Sequence, residues 1–439
     1  RNHEVAAQKA AMVLGRPDKV CLNREEVFYM HRGRHPVLMK FRTGVTKDGK
    51  LTGMHLQTLV DGGGYGSYGV ASTFYTGALQ TGTYELPRYK FEAARVFTNK
   101  PPCGPKRGHG TPQPRFGQEI QLDKIAEKLG MDPAELRLGM VIKPDSLTAN
   151  WLKVGSVGLA ECIRQVVDKS GWKGRYKKLG SGKGLGIACG SYLCGGALPI
   201  YWNKMPQSGV QLLVDRSGQV TVFCGATEIG QGSDDVLAAI VAEVLGIDPF
   251  TIRCITGDTG ITPVDLGSYS SRGTVMMGNA AIQAAQKIKE QIAAAAAEQL
   301  EVAPDRLSFA NGRVFFDSKT LTFAEAAGFA EEKFGTLGAV GSYKPPRAPG
   351  RFKGAGVGPS PAYSYSACVV QAEVDPATGW ITVPKIWIAH DIGQVINPVL
   401  ARGQVEGSVY MGLSEALMEE SAFRRLPPKL SGALVHKIP

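Results

Sequence analysis

The chain has 439 residues, 43% of them hydrophobic and 20% charged, a globular composition long enough for two or three lobes. Its net charge of +11 comes without a Lys/Arg-rich run or a nucleic-acid motif, so it points to an anionic ligand or an acidic partner and argues against nucleic acid. Eight scattered cysteines show neither Cys-x-x-Cys nor zinc-finger spacing. With no signal-peptide pattern and no apolar run of membrane-spanning length, they predict reduced thiols, a cytoplasmic protein and no membrane association.

In chain order, residues 1–14 read as an amphipathic helix stopped by Gly15 and Pro17. Val20–Leu22 reads as a strand, and Asn23 as the N-cap of a short helix. Residues 37–46 and 51–60 alternate as a hairpin around Lys47-Asp-Gly-Lys50. A glycine-rich break, 61–66, and a loop-like stretch around Tyr75 precede a strand over 89–98. Residues 117–144 predict two helices, the second started at Asp132-Pro133. After a helix over 158–169, the basic segment Gly174–Lys183 reads as a solvated linker. Strands are expected over 184–190, 209–214, 220–224 and 251–256, and helices over 233–245 and 279–300. A small hairpin within 302–322, a Pro/Gly-rich loop over 341–362, a strand pair over 363–374 and 380–389, and a helix over 400–418 complete the pattern. Without regular βαβ alternation the class is α+β. The expected division is a first lobe over 1–150, a linker over 151–182 and a second lobe over 183–439. The chain opens on a helix already under way and closes without a terminating element, so a fragment or one piece of a split polypeptide is expected.

Four glycine-containing loops each follow a strand and precede a helix: Cys103–Phe116, Gly225–Gly232, Asp258–Asn279, and His390–Gln404 running into Val405–Ser408. Such loops present backbone N–H groups at helix N-termini, where anions bind, and four together suit a large anionic cofactor. In the first, glycines flank Arg107 and His109. The Arg can fork onto an anionic oxygen, and the His is either a base or a structural hydrogen-bonder. In the second, Gln231 lies between Gly230 and Gly232 and either contacts a ligand or caps the helix at Ser233. In the third, Ser268, Tyr269, Ser270, Ser271, Arg272, Thr274, Met277, Gly278 and Asn279 offer hydroxyls, a guanidinium and a helix start, a pyrophosphate-and-base pocket or an ordinary Ser-rich cap. In the fourth, Gln404 is expected to begin a helix after Asn397-Pro398.

Arg107-Gly-x-Gly110-x-Pro-Gln113, Gly230-Gln-Gly232, Asp391-Ile-Gly393 with Asn397-Pro398, and Gly403-Gln-x-Glu-Gly407 together resemble the motif set of the xanthine oxidase family of molybdenum hydroxylases, in the order of its molybdenum-binding subunit. Within that family, Pro101–Gly110, Ser191–Gly195 and Phe423–Pro428 look most like the large subunit of 4-hydroxybenzoyl-CoA reductase. The resemblance implies a two-lobed α+β fold with molybdopterin cytosine dinucleotide between the lobes. Molybdenum is then held by the pterin dithiolene, with no metal ligand from the protein.

It further implies a reductive removal of an aromatic hydroxyl from a CoA thioester, in anaerobic aromatic degradation. The alternatives are oxidative hydroxylation of an aldehyde or N-heterocycle, or a cofactor-binding piece inactive by itself. Partners would be an iron–sulfur subunit with [2Fe–2S] clusters, an FAD subunit and further segments of the molybdenum subunit, in a dimer of heterotrimers. By position, Arg107, desolvated and charge-paired, would lie beside the metal with Gly108 and Gly110. Gln231 and Gln404, within Gly403, Val405, Glu406, Gly407 and Ser408, would contact the pterin. Residues 268–279 would hold the dinucleotide, and Tyr75 would orient the substrate ring where purine-oxidising relatives place an Arg. Two features depart from the family: Lys106 and His109 stand where most members carry aromatics. The family's base glutamate would follow Pro439, so this chain alone is expected to be incomplete as a catalyst.

Overall fold

The computed structural model describes residues 2–30, 32–195, 205, 207–345, 360 and 362–419; the Phe423–Pro428 motif lies outside them. Helix α1 (Asn2–Leu14) ends at Gly15, whose φ of +64° is the left-handed stop that a glycine adopts without strain. Helix α2 (Arg24–Met30) starts as expected, with the Asn23 carboxamide accepting from the Glu26 amide and Glu26 reaching back to the Asn23 amide. Val20–Leu22 is not a strand: three residues with no partner cannot form a ladder.

Strands β1 (Val37–Val45) and β2 (Leu51–Asp61) pair antiparallel, and β3 (Tyr89–Val96) joins β2 in parallel. The parallel pairing requires a crossover, and α3 (Gly69–Ala78) supplies it. Tyr75 therefore lies on a helix, not in a loop. Its neighbours are small, β-branched or glycine, poor helix formers in isolation. The helix stands because seven of its ten residues are buried, Ala71, Ser72, Tyr75, Thr76 and Ala78 among them.

Helix α4 (Pro112–Leu129) begins five residues earlier than expected, inside the Pro-rich stretch. Prolines at the first turn lose nothing there, since those N–H groups have no intrahelical partner. Helix α5 (Pro133–Met140) is capped by the Asp132 carboxylate, which accepts from Ala134 and Glu135. Helices α6 (Leu159–Ser170) and α7 (Trp172–Arg175) lead to β4 (Lys183–Cys194). Strands β5 (Ser208–Val214), β6 (Val220–Cys224) and β7 (Arg253–Thr256), with α8 (Ser233–Leu245) between the last two, open the next unit. A five-residue π-helical turn, Gly273–Met277, precedes α9 (Gly278–Leu300). The region read as one hairpin contains three short strands, β8 (Ser308–Ala310), β9 (Arg313–Phe316) and β10 (Lys319–Thr322). Helix α10 (Phe323–Phe334) and β11 (Leu337–Tyr343) follow, neither of them anticipated. Strands β12 (Ala362–Val374) and β13 (Ile381–Asp391) lead to α11 (Pro398–Leu417).

Two cores result, and they do not follow chain order. Residues from β2, α3, α4, α5 and α6 share one core with Leu185, Ile187, Cys189 and Leu193 of β4 and Tyr363, Tyr365, Ala367 and Val369 of β12. The antiparallel sheet β13-β12-β4 thus packs on the helices of the first half of the chain. The second core lies between the sheet β11-β5-β6-β7 and helices α8, α9 and α10. There α9 offers a face of Ala280, Ala281, Ala284 and Ala285, small enough for β11 to come very close. A Cβ on Gly341 would stand 1.9 Å from the Ala280 carbonyl oxygen.

A buried ionic network joins the two halves of the chain. Glu119 of α4 accepts from the Tyr84 hydroxyl (2.9 Å), Arg137 Nε (2.8 Å) and the Cys189 amide of β4 (2.9 Å). Arg137 also pairs with Asp123 at 2.8 Å. Burial pushes the Arg137 pKa down, but the surrounding acids outweigh it, Glu119 foremost, and the net shift is upward. Glu119 and Arg137 each have several partners here, and Arg137 also donates to the Pro133 and Glu119 carbonyls, the condition under which a buried charge is tolerated. Among the described residues no helix is long and apolar enough to cross a membrane.

Candidate functional site

The first loop turns through three consecutive left-handed residues, Gly108 (φ +97°), His109 (φ +51°) and Gly110 (φ +92°). Gly110 presses on α3: a Cβ there would lie 2.2 Å from the Ser72 carbonyl oxygen. His109 is the one side chain in this turn that endures the conformation, and such strain collects at functional positions. Its ring is buried, edge-on to Tyr75 (centroids 4.8 Å apart) and tilted against Tyr68 (5.4 Å). Burial, then the charge of nearby His35, pulls the His109 pKa down to about 4, so the ring is neutral at pH 7. Its Nε2 is buried without a hydrogen-bond partner, as is the Ser72 hydroxyl. Burial raises the Tyr75 hydroxyl pKa well above the usual phenol range, while Ser270 stands close enough to Tyr75 and to Tyr192 to oppose part of that rise. This buried cluster brings together α3, the first loop, β4 and the third loop.

Arg107 reaches away from this cluster to α11. Its Nη2 donates to both the backbone carbonyl and the side-chain Oε1 of Gln404, each at 2.7 Å, and a Cβ on Gly407 would lie 3.4 Å from Nη1. Arg107 is an exposed residue, although partial desolvation lowers its pKa, and its partners among the described residues are carbonyl oxygens and not a carboxylate. Gly403–Ser408 do not form a loop. They lie inside α11, which starts at Pro398 under an Asn397 cap, so their N–H groups serve the helix and Gln404 does not begin it. Gly403, Gln404, Glu406 and Gly407 are exposed, and Val405 and Ser408 are half-buried.

The second loop is already furnished from within. The Gln231 amide donates to the Thr227 carbonyl (3.0 Å) and Ser233 Oγ (2.8 Å) and accepts from the Ile229 amide (2.6 Å). Glu228, a residue the sequence reading passed over, accepts from the amides of Gly230, Gly232 and Asp234 and from the Ser233 hydroxyl. Burial works against its charge, but the three amides and the hydroxyl prevail and its pKa is lowered. A Glu two residues before a Gly-Gln-Gly helix start was the available signal.

The third loop sorts its residues by direction. Arg272 turns inward: its guanidinium is 1% exposed and meets Asp265 at 2.6 Å, so it underpins the loop and does not open to solvent. Met277 and Gly278 are buried in the second core region. Ser268 is tied to Thr227, donating to its carbonyl at 2.7 Å, which zips the second and third loops together. Tyr269 lies under the Arg272 guanidinium, 5.7 Å from the ring centroid. Ser270 and Ser271 are both left-handed (φ +51° and +48°). Ser271, Thr274 and Asn279 are exposed.

Two models of a molybdopterin cofactor-binding domain match residues 1–139 and 163–434. The chain is 33% identical over 430 residues to the xanthine dehydrogenase molybdenum-binding subunit of Escherichia coli O157:H7, across 95% of this chain and 55% of that protein. It is 29% identical over 435 residues to the gamma subunit of the 6-hydroxypseudooxynicotine dehydrogenase complex of Paenarthrobacter nicotinovorans, across 95% and 53%. It therefore spans about half the length of the curated relatives it matches. Its fold superposes on CO dehydrogenase from Oligotropha carboxidovorans with a TM-score of 0.83 at 24% identity, covering 99% of this chain and 56% of that one.

Proposed function

The chain belongs to the xanthine oxidase family of molybdenum hydroxylases, and on that premise we propose that it carries the substrate-binding face of the enzyme's molybdenum site and accepts an aromatic acyl-CoA. It is a molybdenum-cofactor-binding catalytic portion of an oxidoreductase, with mixed helices and sheets. The observation that carries the substrate assignment is the buried cluster of Tyr75 and His109. It combines two rings edge-on, a phenol and a neutral imidazole, with the Ser72 hydroxyl, which is buried without a partner. Such a wall packs a substrate ring and offers hydrogen bonds to an uncharged oxygen.

The protein's residues suit the cofactor. Orphaned polar atoms at Ser72 and His109 face no protein partner, and the left-handed turn at Gly108–Gly110 leaves backbone close to α3. Arg107 and the amides of Gly108 and Gly110 would hold the metal end, and Gln231 and Gln404 the pterin. Ser271, Thr274 and Asn279 would hold the dinucleotide, whose base we take to be cytosine. When bound, the group supplies two-electron redox chemistry at molybdenum. What this chain contributes is orientation: the Arg107–Gln404 fork fixes the loop against α11, and Tyr75 donates or accepts at the substrate's ring oxygen.

Reductive dehydroxylation of 4-hydroxybenzoyl-CoA is the first activity to test, with electrons from iron–sulfur and flavin partners in a cytoplasmic complex. Oxidative hydroxylation is the second reading, favoured by the dehydrogenase names of the relatives at 33% and 29% identity. Assay of the assembled complex decides between them. Turnover of 4-hydroxybenzoyl-CoA with a low-potential donor, and none of aldehydes or N-heterocycles with an electron acceptor, is the expected result; the reverse pattern establishes the second reading.

A further inference from the structure

Helix α11 touches the strained first loop at two places. Near its start, Gln404 receives the Arg107 guanidinium. Near its end, Glu415 receives Lys106 Nζ at 2.7 Å and Arg34 Nε at 2.9 Å, and Glu419 receives Lys106 at 3.0 Å. Arg34 closes the circuit by donating from Nη2 to the Arg107 carbonyl at 3.1 Å. Gln404 and Glu415 are eleven residues apart, three helical turns and about 20° further, so they share one face roughly 16 Å apart along the axis. The adjacent side chains of Lys106 and Arg107 thus straddle α11 in opposite directions.

One contact would leave the loop free to pivot about the helix; two separated contacts fix its angle as well as its position. We propose that Lys106 and Glu415 are positioning residues that lock the Arg107–Gly110 turn onto α11 and so hold Arg107 in register with Gln404. The lysine and both glutamates are each about a third exposed or less (29%, 26% and 36%), so the lock is sensitive to ionic strength. The consequence for turnover rests on the proposed molybdenum function; the lock itself does not.

The test is a double-mutant cycle of Lys106→Met and Glu415→Gln in the full chain, read by hydrogen exchange. Met keeps the aliphatic stem, and Gln still accepts from Arg34. The reporters are the His109 and Thr111 amides, which close the turn on the Lys106 and Gly108 carbonyls. Each single variant is expected to speed their exchange about two- to fivefold, the range of a partly exposed ion pair. Because Lys106 also meets Glu419 and Glu415 also meets Arg34, the double variant should fall short of the product of the two single factors, and Lys106→Arg should match the parent. Raising salt should accelerate the parent and leave the double variant unchanged. Unaltered exchange in both singles, or factors that multiply in the double, overturns the lock. In the assembled enzyme the singles should lower kcat with KM unchanged, and a raised KM at parental kcat overturns the positioning of Arg107. If parent and variants alike show no molybdenum-dependent turnover, the functional reading fails and the exchange cycle still decides the lock.

Discussion

Removing Asp265 is expected to loosen the second core and the third loop together. Its carboxylate accepts from Arg272 Nη1 at 2.6 Å, from the Gly267 amide at 2.8 Å and from the Ser208 hydroxyl, with side-chain exposures of 3% for Asp265 and 1% for Arg272. Asp265→Ala leaves a buried guanidinium without its counter-charge, which costs about 3–5 kcal/mol, against a typical domain stability of about 5–15 kcal/mol. The Gly267 amide also loses its acceptor just before the left-handed pair Ser270-Ser271. Hydrogen exchange of the β5, β6 and α9 amides reads the opening of this core. A loss of that size should accelerate it at least about a hundredfold, each 1.4 kcal/mol being about a factor of ten. The paired replacement Asp265→Leu with Arg272→Met fills the space without charge and should recover most of that protection. It should not recover molybdenum content, because the Gly267 amide remains unpaired. Acceleration below about tenfold in Asp265→Ala would refute the reasoning, as would a paired variant no better than the single.

Acid should destabilise the first core through His109. Its folded pKa of about 4 lies below the ordinary 6.5, so the unfolded chain binds the proton first. The contribution is fully present above about pH 6.5 and is lost as pH falls towards 4, by up to about 3 kcal/mol at 1.36 kcal/mol per pH unit. His109→Phe should flatten that part of a urea-unfolding pH series. Arg107→Lys keeps the charge but loses the planar guanidinium whose Nη2 reaches both Gln404 oxygens; turnover of the assembled enzyme should fall at least about tenfold with molybdenum content largely kept. Tyr75→Phe keeps the packing on His109 and removes one hydroxyl. If its bond forms mainly in the transition state, kcat should fall roughly tenfold to a hundredfold at full cofactor occupancy, and unchanged kcat and KM would return Tyr75 to packing. Ser271→Leu, at an exposed position, should lower molybdenum content measured by metal analysis without changing far-UV circular dichroism; full occupancy would remove that loop from the cofactor site.

Much of the fold is legible locally. The 37–61 hairpin, the Asp132-Pro133 helix start, the alanine-rich 279–300 helix and the 362–391 strand pair carry their own periodicity, turns and caps, and the structure has them where the pattern puts them. Three of the four glycine loops also stand after strands and before helices, while the Gly403–Ser408 part of the fourth lies inside α11. Two missed elements differ in kind: α3, with its Ser, Thr and Gly residues, stands by burial and was not legible, whereas α10, which with β11 completes the second core, starts at a Thr322–Glu325 capping box that was a readable signal passed over. The site residues divide the same way. That the loop ending at Arg272 runs into a helix start near Asn279 was readable; that residues 273–277 form a π-helical turn, and that Arg272, Met277 and Gly278 turn inward while Ser271, Thr274 and Asn279 face out, was not.

By itself the sequence determined the order of elements, the positions of the turns and the motif set that assigns the family, because caps, glycines and periodicity act within a few residues. Tertiary structure decided partnership. It placed β4 and β12 in the core of the first half and set the His109 ring on Tyr75. It turned Arg107 to Gln404, and Lys106 to Glu415 more than three hundred residues away in the chain. Those choices depend on which side chains meet across unrelated segments, and burial, charge pairing and close backbone approach have no counterpart in sequence spacing.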